Sequence, residues 1–280
     1  MIGGFVTRSK FTTLSITGGS CSLNCFYCGA KYISTMEEAI SPEKFEKIVT
    51  KLHSKGVRGF LISGGFDESG KLPIRPFLPV MRKLRRELNV VFNLHPGLQD
   101  KETIMELRDA VDIVDFEFAY SPGAYLSKGV KRERDAYVEV LSNLIEFGPE
   151  YIVPHVMLGL PKDTYEDLLE EMKIASQYKP YLLNFLVVTP TPDTPSRVLK
   201  VDLNKILPLI QEGSRMMGGK VSLGCMRPFA LKEVLDREVV SRGLVERIAN
   251  PHHKVVKEFS LRLYDACCSL PAHLLGDFKI

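Results

Sequence analysis

Three cysteines lie close together near the start of the chain, at Cys21, Cys25 and Cys28, separated by three and then by two residues. Thiolates are soft ligands that suit iron–sulfur clusters and zinc. A structural zinc site usually takes four protein ligands, often as two separated pairs. A disulfide would leave one of the three thiols unpaired. The compact triplet therefore favours an iron–sulfur cluster with one metal position left open.

Six apolar segments typical of β-strands alternate with amphipathic helical segments, which is the pattern of parallel strands joined by helical crossovers. The predicted strands cover residues 12–17, 59–63, 90–94, 113–118, 152–158 and 182–188. Six units are too few for a closed eight-stranded barrel. We therefore predict an α/β fold with a partial (βα)6 TIM-like barrel, whose site lies on the loops that follow the strands. The cysteine loop follows the first of these strands.

The alternation ends near residue 218, which predicts a partial barrel over residues 1–218 and a C-terminal extension over 219–280. The extension contains the other three cysteines, Cys225, Cys267 and Cys268. They are candidate ligands of a second cluster, or buried apolar thiols, which free cysteines commonly are. Adjacent helical residues point about 100° apart, so Cys267 and Cys268 reach one cluster only if the backbone is irregular. Candidate fourth ligands are Ser222, Ser269, His252 and His253.

Composition argues against several classes of partner. The 280 residues are 45% hydrophobic and carry a net charge of +3, with basic and acidic residues interspersed. No basic surface of the kind that binds nucleic acid is evident. No segment approaches the roughly 18 apolar residues that would span a membrane, and no targeting segment is evident. We expect a cytoplasmic protein that binds neither membrane nor nucleic acid.

The cysteine spacing, its place after the first strand, and Tyr27 before the last cysteine resemble the radical S-adenosylmethionine (radical SAM) superfamily. The resemblance implies that Cys21, Cys25 and Cys28 hold a [4Fe–4S] cluster. Its open iron would bind S-adenosylmethionine, which is cleaved to a radical that removes hydrogen from unactivated carbon. The cofactor supplies this chemistry while the protein orients it.

The same resemblance suggests which residues contact the cofactor. Gly64 and Gly65 stand where the family has a glycine pair that approaches the methionyl amino group, although Phe66 replaces the glutamate that often follows. Glu117 stands where a polar side chain binds the ribose. The remaining candidates follow later strands or end the third one: His95, Leu160 and Val188.

Most of the chain is similar to the biotin-synthase-related branch, and Gly224-Cys225-Met226-Arg227-Pro228 resembles one subunit of the archaeal two-component lipoyl synthases. This implies sulfur insertion into an octanoyl chain on a carrier protein or peptide, with a second cluster as the sulfur donor. It also implies a second synthase subunit and an electron donor such as ferredoxin.

A carrier would need a docking surface, and the basic residues Lys128, Lys131, Arg132 and Arg134 are candidates, although a solvated helix face explains them better. Two other functions stay open. One is a different biotin-synthase-like reaction on a small molecule. The other is an iron–sulfur carrier or redox sensor, against which the six βα units and Gly64-Gly65 argue.

Overall fold

The computed structural model describes residues 2–280, and its strands form one sheet. Within these residues there are eleven strands: β1 (Gly3–Phe5), β2 (Phe11–Ser15), β3 (Glu37–Glu38), β4 (Gly59–Ser63), β5 (Val91–Leu94), β6 (Ile113–Glu117), β7 (Tyr151–Leu158), β8 (Leu183–Val187), β9 (Val221–Leu223), β10 (Arg247–Ala249) and β11 (Arg262–Tyr264). The strand order is β11-β1-β10-β9-β8-β7-β6-β5-β4-β2-β3, and every neighbouring pair is parallel.

Helices connect these strands and cover the outer face of the sheet. They are α1 (Pro42–Ser54), α2 (Leu78–Leu88), α3 (Lys101–Leu107), α4 (Pro122–Lys128), α5 (Asp135–Phe147), α6 (Tyr165–Gln177), α7 (Leu203–Met216), α8 (Phe229–Ser241) and α9 (His253–Phe259). Short 3-10 turns occur at Ile33–Thr35, Arg75–Phe77, Pro195–Val198 and Ala272–Phe278.

The six predicted strands are confirmed as β2, β4, β5, β6, β7 and β8, each within two residues of the predicted ends. They are adjacent and parallel, as a partial TIM-like barrel requires. Helix α1 illustrates the local signals that build the units. The hydroxyl of Ser41 accepts a hydrogen bond from the backbone N–H of Lys44 at 3.2 Å, and Phe45, Ile48 and Val49 bury one face.

The sheet continues beyond β8 without interruption. β9 pairs with β8, and β10 pairs with β9. The N-terminal strand β1 then inserts between β10 and β11. Strand pairs therefore join the two parts predicted on either side of residue 218, because β8 pairs with β9 and β1 pairs with β10 and β11. β1 lies among the C-terminal strands rather than beside β2.

Side chains alternate between the two faces of each barrel strand, and one set points into the barrel. At one end of the barrel these inward-pointing side chains are apolar and pack against the C-terminal residues of the chain. This hydrophobic cluster includes Val91, Ile113, Val153, Cys268, Leu270 and Phe278. Burial of one such large side chain contributes roughly 1.5–3 kcal/mol. The C-terminal segment therefore packs against the apolar end of the barrel strands.

Candidate cofactor and metal sites

The loop after β2 carries the first cysteine triplet and is tied to the loop after β4. The hydroxyl of Thr17 donates to the carbonyl of Ser20 at 3.1 Å and accepts from the N–H of Gly65 at 2.6 Å. The N–H of Phe66 points at the sulfur of Cys21 at 3.4 Å, and the N–H of Ser22 donates to the carbonyl of Phe66 at 2.8 Å. The two loops hold each other in place.

Gly65 is required by this contact. A Cβ atom at this position would lie 1.8 Å from the carbonyl oxygen of Ser20 and 2.6 Å from Cβ of Cys21. At Gly64 it would lie 2.8 Å from the hydroxyl of Thr17. Glycine allows this close approach of two backbones. The predicted glycine pair therefore supports the cysteine loop directly.

The three thiols are partly buried, and negative charge on Cys21 or Cys28 raises the pKa of Cys25. Burial raises the pKa of Cys25 to about 12 and also raises the pKa of Cys28. These shifts describe metal-free thiols, which a bound metal ion deprotonates. Three partly buried thiols on one loop fit a cluster that keeps one iron open.

Behind the thiols lies a buried polar group that joins the cysteine loop to β6 and α4. The hydroxyl of Tyr27 donates to the carboxylate of Glu117 at 2.6 Å, and the ammonium of Lys128 forms an ion pair with the other carboxylate oxygen. Burial opposes the charge on Glu117, but the attraction of Lys128 and the hydrogen bonds from Lys128 and Tyr27 together outweigh it and lower the pKa of Glu117 to about 2. The predicted ribose ligand is thus already engaged by two protein partners.

Lys128 is the clearest correction to the sequence interpretation. It was grouped with Lys131, Arg132 and Arg134 as a docking surface, but it is 6% exposed and its carbonyl faces the sulfur of Cys25 at 3.7 Å. An ammonium at this depth is retained because Glu117 balances its charge. The exposed Lys131 pairs with Glu68 at 2.6 Å, Arg132 donates to the carbonyl of Leu98, and Arg134 lies over the ring of Tyr120.

A small, partly open cavity lies next to this group. Its walls include Phe66, His95, Asp115, Glu117 and Lys128. Among the predicted cofactor residues, His95 and Glu117 therefore face one cavity. Leu160 and Val188 are instead buried in the main core.

Deeper in the barrel lies a polar layer that includes two residues not predicted as site residues, Asp115 and His155. Nε2 of His95 lies 3.4 Å from one carboxylate oxygen of Asp115, and Nε2 of His155 lies 3.3 Å from the other. The amide of Asn93 donates to Asp115 at 2.8 Å. The sequence signal was present, because a carboxylate or imidazole inside an apolar strand must find a partner when buried.

The three C-terminal cysteines reach the same layer. The sulfur of Cys267 lies 3.7 Å from Asp115, and Cys267 and Cys268 are in hydrogen-bonding contact. They lie on an irregular segment after β11, so adjacent residues can point the same way. Cys225 is accessible, yet protein surrounds it closely enough that desolvation raises its pKa to about 11, and the charge of Cys268 contributes.

The candidate fourth ligands of a second cluster divide into two groups. Ser222 hydrogen-bonds Cys268 and donates to Asn184 at 2.6 Å inside the barrel. Ser269 is buried with an unpartnered hydroxyl. The rings of His252 and His253 pair with each other, and Nε2 of His252 lies 3.8 Å from Glu233 on α8.

A parallel α/β half-barrel with three thiols on the loop after β2 defines an iron–sulfur enzyme built on a partial TIM barrel. The family model described as "Radical SAM superfamily" matches residues 15–175. The chain belongs to the radical SAM superfamily. Members of this family use a [4Fe–4S] cluster and S-adenosylmethionine.

Solved structures support the fold. Methylornithine synthase superposes with a TM-score of 0.60 at 15% identity, over 89% of this chain and 72% of that one. SuiB of Streptococcus suis bound to S-adenosylmethionine gives 0.57 at 14% identity, over 90% of this chain and 53% of that one. Coproporphyrinogen III oxidase of Escherichia coli, a radical SAM enzyme, superposes with a TM-score of 0.50 at 14% identity, over 78% of this chain and 52% of that one. The chain spans about half the length of the latter two.

No curated protein matches the sequence. Among residues 2–280, no helix has both the length and the apolar character needed to cross a membrane.

Proposed function

We propose that this radical SAM enzyme inserts sulfur into an octanoyl chain attached to a carrier protein or peptide, as a lipoyl synthase component. The observation that carries the proposal is the clustering of C-terminal thiols at the barrel interior. Cys267 and Cys268 are in contact, and Cys225 lies within electrostatic reach of Cys268. Soft thiolates gathered below the cofactor cavity suit a second iron–sulfur centre as the sulfur donor.

The protein's own residues have distinct tasks in this proposal. When bound, the first cluster and S-adenosylmethionine supply the radical chemistry that removes hydrogen from carbon. Cys21, Cys25 and Cys28 hold that cluster, and Gly65 fixes their loop. Tyr27, Glu117 and Lys128 form a rigid, charge-balanced wall. The apolar lower layer of the barrel excludes water from the reaction.

The proposal extends to its partners. Because the octanoyl substrate would be carried on a protein, we expect the enzyme to act with a carrier domain, a second synthase subunit and a reductant such as ferredoxin. We expect these partners to meet in the cytoplasm. The neighbouring methylornithine synthase illustrates the competing possibility, a reaction on a small molecule, because the half-barrel fold alone does not distinguish the substrates.

The test is an anaerobic assay of the reconstituted enzyme with an octanoyl-lysine peptide, with and without candidate synthase partners, followed by mass spectrometry for added sulfur. We expect about eight irons per chain, because two [4Fe–4S] clusters hold four each. Cys225→Ala should still form 5′-deoxyadenosine but add no sulfur. Cys25→Ala should form neither product.

Two results would refute the proposal. One is sulfur addition that Cys225→Ala leaves unchanged. The other is 5′-deoxyadenosine formation that a small molecule stimulates while every octanoyl substrate and partner combination yields no sulfur product.

A further inference from the structure

The polar layer of the barrel contains a second arrangement of ligands that the sulfur-insertion proposal does not use. His95 follows β5, Asp115 lies in the middle of β6, and His155 lies in β7, so three adjacent strands direct these side chains to one point. One nitrogen or oxygen atom from each lies within 4.8 Å of the others. We propose that His95, Asp115 and His155 bind a single divalent transition-metal ion such as Fe²⁺ or Mn²⁺.

The spacing of the donor atoms fits one ion. With metal–ligand bonds of about 2.1 Å, two ligands of the same ion lie about 3.0–3.4 Å apart, depending on the coordination angle. The nitrogens of His95 and His155 lie 3.4 and 3.3 Å from the carboxylate oxygens of Asp115. The two distances run to different oxygens of Asp115, so one ion would be held by both carboxylate oxygens or by one of them after a rotation of the carboxylate.

The hydrogen bonding of the layer gives independent support. Asp115 is 2% exposed and His155 is 6% exposed. Nevertheless, one carboxylate oxygen of Asp115 and Nε2 of His155, which lie 3.3 Å apart, do not meet hydrogen-bond geometry with each other and have no other partner. Buried polar atoms without partners are costly, and an ion coordinated by both would remove that cost. These two unpartnered atoms face each other, which locates the ion.

The surroundings resemble those of a functional metal site. The amide of Asn93 donates to Asp115 at 2.8 Å, and outer hydrogen bonds of this kind orient metal-binding carboxylates. Two imidazoles and one carboxylate leave positions open for another ligand. Because His95 and Asp115 also line the cavity, an anionic group of the substrate is the class of ligand that the open positions suit.

The site is chemically distinct from both cysteine sets. Imidazole and carboxylate suit Mn²⁺ and Fe²⁺, whereas thiolates select softer metals. Cys267 lies 3.7 Å from Asp115 but belongs to the proposed sulfur-donor set. Binding of Mn²⁺ therefore reports on the histidine–aspartate site alone, and its outcome is independent of whether sulfur insertion occurs.

The experiment is a Mn²⁺ titration of the reconstituted full chain, with free Mn²⁺ followed by electron paramagnetic resonance. We expect one ion per chain, at least a tenfold loss of affinity in His155→Ala and Asp115→Asn, and unchanged binding in Cys267→Ala. His95→Ala is the second variant, because its half-buried side chain makes a folding defect less of a concern. His273→Ala, at an exposed histidine that belongs to no candidate ligand set, is the matched control.

Each variant is also measured for iron content, which reports that the fold and first cluster are intact. Absence of Mn²⁺ binding to the parent protein overturns the proposal. Equal affinity in the parent, His95→Ala and Asp115→Asn proteins also overturns it, and so does an equal loss in His273→Ala.

Discussion

Gly65→Ala tests whether the cysteine loop depends on the glycine beside it. The new Cβ would lie 1.8 Å from the carbonyl oxygen of Ser20, whereas ordinary contact begins near 3.4 Å, so the two loops must separate by about 1.6 Å. That movement breaks the 2.6 Å hydrogen bond from Gly65 to Thr17 and shifts Cys21. Displacements of about 1 Å in a reacting site cost on the order of 100-fold in rate.

The assay is 5′-deoxyadenosine formation from S-adenosylmethionine under reducing conditions, normalised to iron content. We expect Gly65→Ala to lose at least about 100-fold in rate, with reduced iron incorporation. Gly19→Ala is the matched control in the same loop, because its Cβ would meet nothing within 4 Å. If Gly65→Ala matches Gly19→Ala in iron and rate, the proposed support of the loop is wrong.

Two further predictions concern buried charge and are measured as free energies of unfolding. Lys128→Met leaves Glu117 without its cation and should lower the free energy of unfolding by about 3–5 kcal/mol. The double variant Lys128→Met/Glu117→Gln should recover most of this loss. If the effects of the two substitutions are additive, the two residues are not coupled. Glu171 on α6 is fully buried, and its carboxyl group accepts a hydrogen bond from the backbone N–H of Ser121 at 3.0 Å. Burial raises the pKa of Glu171 to about 8, so its contribution to stability is complete below about pH 4.5 and is lost as the pH rises through 8, at a cost on the order of 5 kcal/mol. Glu171→Gln should remove this dependence, and an unchanged pH profile would refute the assignment.

The barrel strands were predictable because each is a short apolar run bounded by turn residues, a signal that depends only on local sequence. The insertion of β1 between β10 and β11 was not, because those partners are more than 240 residues away and three-residue strands carry little pattern. Long-range pairing of this kind depends on the packing of the whole chain.

The residues of the candidate site also differ in whether local sequence could predict them. The cysteine triplet and Gly65 could be recognised by their types and spacing. Lys128 could not be placed correctly, because its burial depends on Glu117 in another element. Asp115 and His155 were visible as polar residues within apolar strands, but only the folded barrel shows that they meet.

The position of β1 has a consequence for the order in which the protein is made. β1 is synthesised before both of its neighbours in the sheet, β10 and β11, which follow more than 240 residues later in the chain. Until they are made its edges are unpaired, and unpaired strands are sites of aggregation and chaperone binding. The thiols of Cys267 and Cys268, which follow β11, also reach the barrel only after these strands have been made. The chain can therefore complete its first cysteine loop well before the C-terminal thiols arrive.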